Sequence, residues 1–320
     1  MALNHAAASD ADDELPPPRG LQWLQRMAGH AWQQARAEGL ADGLRVLLGA
    51  GRLLGERERL GELFAIPAYA QLMAAQPRAD VLFFISHRHF LSRGFGTAQR
   101  LGCALDHFHF EQARFVPALL PLLHAEGLRL WRGAEGWEMR LRSNAATRHE
   151  GPLSLVLCEG GQMVHELSFG CVDAQRLCAG AGRGPVLFAT RSQSSRPDAP
   201  ALARFRAAFP QNSPAYFALA ALNGVAQALG LPRIVGVRGS CQIAFEPGYR
   251  AGFQRSYDDF WAGFGGRAFG AHGLQMPVPV ALTSLQDLPA RHRARARQRR
   301  EHWCGIAAAA EAALKPYLRG

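Results

Sequence analysis

Residues 209–249, FPQNSPAYFALAALNGVAQALGLPRIVGVRGSCQIAFEPGY, followed by SYDDFWAGFGG at 256–266, decide how this chain is read. Asn212 and Ser213 precede Pro214, the signature of a capped helix with proline at its first position. The apolar run over 215–229 continues that helix, and Gly230 and Pro232 end it. RIVGVRG and QIAF then read as two strands, and SYDDFWAGFGG as a return to helix. Gln211, Asn212, Ser213 and Gln242 place polar side chains at the joints, where a binding site needs them.

Outward from this segment the pattern splits. Residues 1–19 are acidic and proline-rich without a hydrophobic core, which reads as a disordered leader and not as a signal peptide. From 20 to 127 apolar residues recur three and four apart between Gly and Pro breaks, so this region is mainly helical. Short strand-like runs follow at LRLWR, GWEMRLR, LSLVLCE, MVHELSFGCV and GPVLFATRSQ, the last leading into a polar, Ser-rich loop. LQMPVPVAL is a final strand, and residues 288–320 form a basic C-terminal helix. The expected fold is α+β: a helical N-terminal half, then a mixed, mostly antiparallel sheet of six or seven strands with a central helix over 128–287.

The chain has 320 residues, 48 % of them hydrophobic, enough for one large core or two moderate ones. Its formal charge is +10, and Lys315 is the only lysine, so the positive charge is almost all arginine. That balance favours anionic partners. Six scattered cysteines form no C-x-x-C pair and suit reduced thiols in a cytoplasmic protein. No apolar run reaches the roughly 18 residues of a membrane span.

Several features could carry chemistry. The 211–214 joint serves either as a plain cap or as an anion site at a helix N-terminus, with further donors from Arg191, Gln193 and their neighbours. It lacks the glycine spacing of a phosphate-binding loop. His87, His89, His107 and His109 lie close in sequence, but residues two apart diverge on a helix, and no metal site is expected from them. Cys241 reads as a structural thiol. Tyr216, Phe217, Tyr249, Phe253, Tyr257, Phe260 and Trp261 read mainly as core, with Asp258 and Asp259 beside them. Six arginines between Arg291 and Arg300 point all round a helix, which disfavours an amphipathic membrane helix. They suit either a solvated face or contact with anionic lipid or nucleic acid through 288–303.

Taken in series, FPQNSPAYFALAALNGVAQALG, VRGSCQIAF, GFQRSYDDFWAGFGG, MPVPV, HRARARQRREHW and SHRHFLSR resemble the VirK/YbjX family of Gram-negative bacteria, over about residues 80–305. Where better-known members carry a Gly-rich Leu-Gln-Gly turn and a His after a Val-Ser strand, this chain has SQSS and VRGSCQI. Gln193 matches the former motif's Gln, and Gln242 replaces the latter's His. The resemblance implies a role in envelope stress, virulence or resistance to cationic antimicrobial peptides, in the cytoplasm or at the inner membrane's edge.

The order of elements also resembles the core of acyl-CoA N-acyltransferases. In that likeness Arg191, Gln193, Gln211, Asn212, Ser213 and Tyr216 hold an acyl-CoA or similar thioester. Tyr257 and Asp259 are acid/base candidates, and Gln242 positions a small-molecule or peptide amine. The inserted stretch between Gln193 and Gln211 departs from that pattern, as does the missing Gly-rich pyrophosphate motif. The other reading is a non-enzymatic binding or regulatory protein that works through its arginine-rich tail.

Overall fold

The computed structural model describes residues 22–76, 80–144, 148–196 and 198–320; the 1–19 leader and the side chains of Gln22, His87 and Arg148 lie outside them. The N-terminal half is helical: α1 (Gln22–Glu38), α2 (Leu40–Gly51), α3 (Arg57–Ala65), α4 (Pro67–Ala75), α5 (Val81–His87), α6 (Thr97–Arg114) and α7 (Leu119–His124). Local chemistry sets these bounds. Pro67 stops α3 and opens α4 as its first residue, where a missing N–H costs nothing. The Asp80 carboxylate caps α5 by accepting the Leu82 N–H, and it also accepts the Tyr69 hydroxyl.

The strands are β1 (Leu128–Arg132), β2 (Trp137–Ser143), β3 (Leu153–Glu159), β4 (Gln162–Asp173), β5 (Pro185–Ser194), β6 (Arg233–Val237), β7 (Arg267–Phe269) and β8 (Gly273–Pro277). They form one mixed sheet in the order β1-β2-β3-β4-β5-β6-β8-β7. β1 to β5 are antiparallel neighbours, β5 and β6 are parallel, and β8 returns antiparallel against β6. Trp137, Met139 and Leu141 alternate with half-buried Glu138, Arg140 and Arg142, so β2 is covered on one face. β3 and β4 are buried on both faces along most of their length.

The parallel pair needs a crossover, supplied by α9 (Pro200–Ala208) and α10 (Pro214–Ala228), after the short α8 (Ala174–Leu177) between β4 and β5. α11 (Arg250–Phe253), a π-helical turn (Gln254–Asp258) and α12 (Asp259–Ala262) follow β6, and α13 (Ala290–Leu314) closes the chain against α10 and β1. Gly224 lets α10 and α13 meet: a Cβ there would lie 2.1 Å from the Ala307 carbonyl oxygen. The last residues lie beside the end of α6, where Val116 N–H donates to Tyr317 O and Arg319 N–H to Arg114 O. Among the described residues no helix is long and apolar enough to cross a membrane.

The α+β class is as expected, but three local readings change. QIAF is not a strand: a 3-10 turn at Gly239–Cys241 leads into a bend closed by Phe245 N–H to Gln242 O. LQMPVPVAL leaves the strand after Pro277: Val278 N–H still donates to Pro232 O, but Pro279 has no N–H to give. The supposed Ser-rich loop after GPVLFATRSQ is still β5 as far as Ser194, and the sheet has eight strands.

Candidate functional site

β5 and β6 pair only over Leu187↔Ile234, Phe188↔Val235 and Ala189↔Gly236. Two features part them there. On β5, Thr190 is an extra residue between Ala189 and Arg191, opposite consecutive β4 residues Phe169 and Ser168. Its hydroxyl donates to the Glu150 carbonyl. On β6, the Trp261 ring lies over Gly236 and its Nε1 donates to Val237 O at 3.0 Å, after which the chain turns away at Gly239–Cys241. β5 therefore keeps β4 on one edge from 190 to 194 and has no strand on the other. Parallel strands that diverge at their carboxyl ends leave a crevice, the usual seat of ligands in sheets containing them.

That crevice has a volume of about 350 Å³, and its polar wall is Glu150, Arg191, Gln193 and Gln242, faced by Tyr257. Glu150 is 6 % exposed. It accepts from Gln242 Nε2 at 2.7 Å and pairs with Arg191 Nε at 3.0 Å. Burial pushes its pKa up, while Arg191 and Gln242 pull the other way. Arg191 also binds Glu166, and its Nη2 donates to Gln193 Oε1 at 2.7 Å. One guanidinium thus holds two buried carboxylates.

The π-helical turn brings Tyr257 to the opposite wall. Burial first raises its pKa, to about 12; a hydrogen bond with the Ser192 backbone opposes this and ties the phenol to the free edge of β5. At neutral pH Tyr257 is a proton-bearing hydroxyl at the crevice. On the far face of the sheet, His165 shares hydrogen bonds with Ser194 Oγ (Nδ1, 2.9 Å) and Ser192 Oγ (Nε2, 3.2 Å). Burial, then Arg191, lowers its pKa to about 3.

His149, on the segment beside Glu150, is likewise held down to about 4, by burial and then by Arg88, Arg191 and His89. Both imidazoles are neutral when folded and take up a proton on unfolding, so stability falls as pH drops from 6.5 toward these lowered values. Each contributes a slope of at most about 1.4 kcal/mol per pH unit. Urea titrations between pH 7 and 4.5 should show this slope, and His165→Gln should flatten it. A slope unchanged by His165→Gln would show that His165 does not supply it.

Of the expected site residues, Arg191, Gln193, Gln242 and Tyr257 meet in the crevice. The others do not line it. Gln211 occupies an exposed left-handed turn position with φ 64°. Asn212 Oδ1 accepts Trp303 Nε1 at 3.0 Å, and Ser213 Oγ caps α10 by accepting the Ala215 N–H at 3.3 Å. Tyr216 stacks on Phe260. Asp259 is exposed, accepts from Gln254 Nε2 at 3.0 Å, and lines a different cavity together with Tyr216 of α10.

Glu150 lines the site and Glu166 binds its Arg191 without either having been singled out in the sequence; nor was His165, on the far face of the sheet. Glu150 sits in RHEGP, which reads as an ordinary turn. The β5 alternation of Ser192 and Ser194 with Arg191 and Gln193 is the signal that could have found the rest.

Of the four clustered histidines, His107 and His109 take separate partners. His107 is buried, with its Nδ1 accepting the Cys171 N–H and its Nε2 3.2 Å from Glu111, while His109 is exposed and bonds Glu62 at 2.8 Å. Among the described residues no three His, Cys, Asp or Glu side chains gather as metal ligands. Cys241 is half-buried, its Sγ 3.6 Å from Ala271 O. In the arginine run, Arg293 donates to Leu288 O and Gln286 O, and Arg300 to Thr283 O, so part of that charge braces the segment ahead of α13.

The chain matches no curated protein and no solved structure. It does match a family described as a protein of unknown function, DUF535, over residues 56–195 and 207–308, a span that includes both strands of the crevice and α10 but not Pro200–Arg206 of α9. The chain therefore belongs to the DUF535 family, which is the VirK/YbjX family.

Proposed function

We propose that the protein is an enzyme that moves an acyl group from a thioester to an amine in the β5–β6 crevice. One observation carries this reading. A buried carboxylate with a raised pKa, Glu150, and a phenol held protonated, Tyr257, face one cleft where parallel strands part. Two groups whose pKa values are pushed upward from different starting points make a base and an acid at the same pH.

The chemistry follows from those roles. Glu150 takes a proton from the acceptor's ammonium group, and the freed amine attacks the thioester carbonyl, forming the C–N bond. Collapse breaks the C–S bond, and the Tyr257 hydroxyl gives its proton to the departing thiolate. Tyr257 regains a proton from the new amide nitrogen through solvent, and Glu150 releases its own to water. Gln242 and Arg191 orient the Glu150 carboxylate, and Gln193 lies where it can position the acceptor.

An acyl-CoA donor would need a different anion site from the one its likeness suggests. The N-terminus of α10 carries its own cap from Ser213, and Asn212 just ahead of it is taken up by Trp303. Incubating the protein with acyl-CoA thioesters and a panel of amines should yield amide and free thiol, and Glu150→Gln should lower kcat/KM by about 10²–10⁴-fold. No thiol release with any pair, or full activity in Glu150→Gln, would end this reading.

A further inference from the structure

A second cleft lies on the far side of α12, between α10 and α13, and nothing in the proposed acyl transfer uses it. It has two neighbouring chambers that share Tyr216, Phe264, Leu282 and Trp303. One, about 120 Å³, is almost wholly apolar, with Leu219, Ala220, Val280 and Ala307 in its wall. The small side chains Ala220 and Ala307 leave this space open. The other, about 260 Å³, adds Arg299 and Arg300, with Asp259 as its carboxylate.

The cations there are not neutralised by that acid. Asp259 bonds Gln254, and Arg300 bonds the Thr283 carbonyl. Among the described residues the Arg299 Nε is buried without a hydrogen-bond partner, while its guanidinium lies over the Trp303 ring with Cζ 5.9 Å from the centroid. A buried guanidinium nitrogen with nothing to donate to is costly unless a ligand oxygen completes it.

We infer that this cleft binds a single-chain anionic amphiphile: an alkyl tail in the apolar chamber and a carboxylate or phosphate head against Arg299 and Arg300. Apolar lining supplies affinity in such pockets, and a few placed polar groups supply orientation. The inference stands independently of the acyl-transfer reading, because the two clefts share no lining residue.

Cys304, the exposed cysteine, lines the apolar chamber and reports on it. Decanoate, decyl phosphate and uncharged decanol would each be titrated into the full chain by calorimetry. The alkylation rate of Cys304 by iodoacetamide would be followed by peptide mass spectrometry. Decanoate or decyl phosphate should bind at least 10-fold more tightly than decanol and slow Cys304 alkylation; the tighter of the two identifies the head group. The Arg299→Gln/Arg300→Gln variant should lose that preference while still binding decanol, which shows that its chamber is intact. The inference fails if neither anion binds, if Cys304 alkylates at the same rate in their presence, or if the double variant keeps the wild-type preference.

Discussion

Replacing Arg191 by methionine should destabilise the fold by about 3–5 kcal/mol, the cost of breaking a buried ion pair from one side. The methionine retains much of the volume, so packing changes little. What changes is electrostatic: Glu150 and Glu166, both with side chains 8 % exposed, lose the guanidinium that binds them, and only Arg142, 3.5 Å from Glu166, is left nearby. The deficit should grow as pH rises, because the Glu150 carboxyl, pushed up by burial, must then stay protonated against a rising pH or ionise unpaired. Adding Glu150→Gln and Glu166→Gln to the Arg191→Met chain should recover part of the loss. Guanidinium unfolding midpoints at pH 5 and pH 8 would measure this. A shift below about 1 kcal/mol at both would mean that water reaches these carboxylates.

Trp261→Ala should cost a similar amount, about 3–5 kcal/mol. The indole is fully buried, lies over Gly236 and satisfies the Val237 carbonyl, so truncation leaves a cavity and an orphaned acceptor at the end of β6. Trp261→Phe keeps most of the ring and loses only the hydrogen bond, for roughly 1–3 kcal/mol. The ranking of the two in thermal melts separates the packing role from the polar one. If alanine were no worse than phenylalanine, Trp261 would not be the wedge that ends β6.

How much of this was legible in the sequence depended on distance along the chain. The cap at Ser213–Pro214, the α10 helix and β6 follow from neighbours a few residues apart, and the pattern revealed them. QIAF misled because Ile243 and Phe245 alternate like strand residues. In the fold, Gln242 bonds Ala244 N–H and Glu150 instead, which turns the backbone out of the sheet. Glu150 itself was invisible because its partners, Arg191 and Gln242, come from two later elements. Asn212 shows the converse. Its sequence marked a helix start with polar atoms to spare, but Trp303 from α13 takes up its Oδ1.

The seam between the chain's last residues and the end of α6 bears on how the molecule is made. Leu318 bridges Phe115, and α13 covers α10 and β1, so early-synthesised surfaces wait for the final segment. Until α13 docks, the apolar face of α10 is unprotected. Removing residues 315–319 therefore strikes at assembly as well as at final stability, because it frees the end of α6 together with the end of α13.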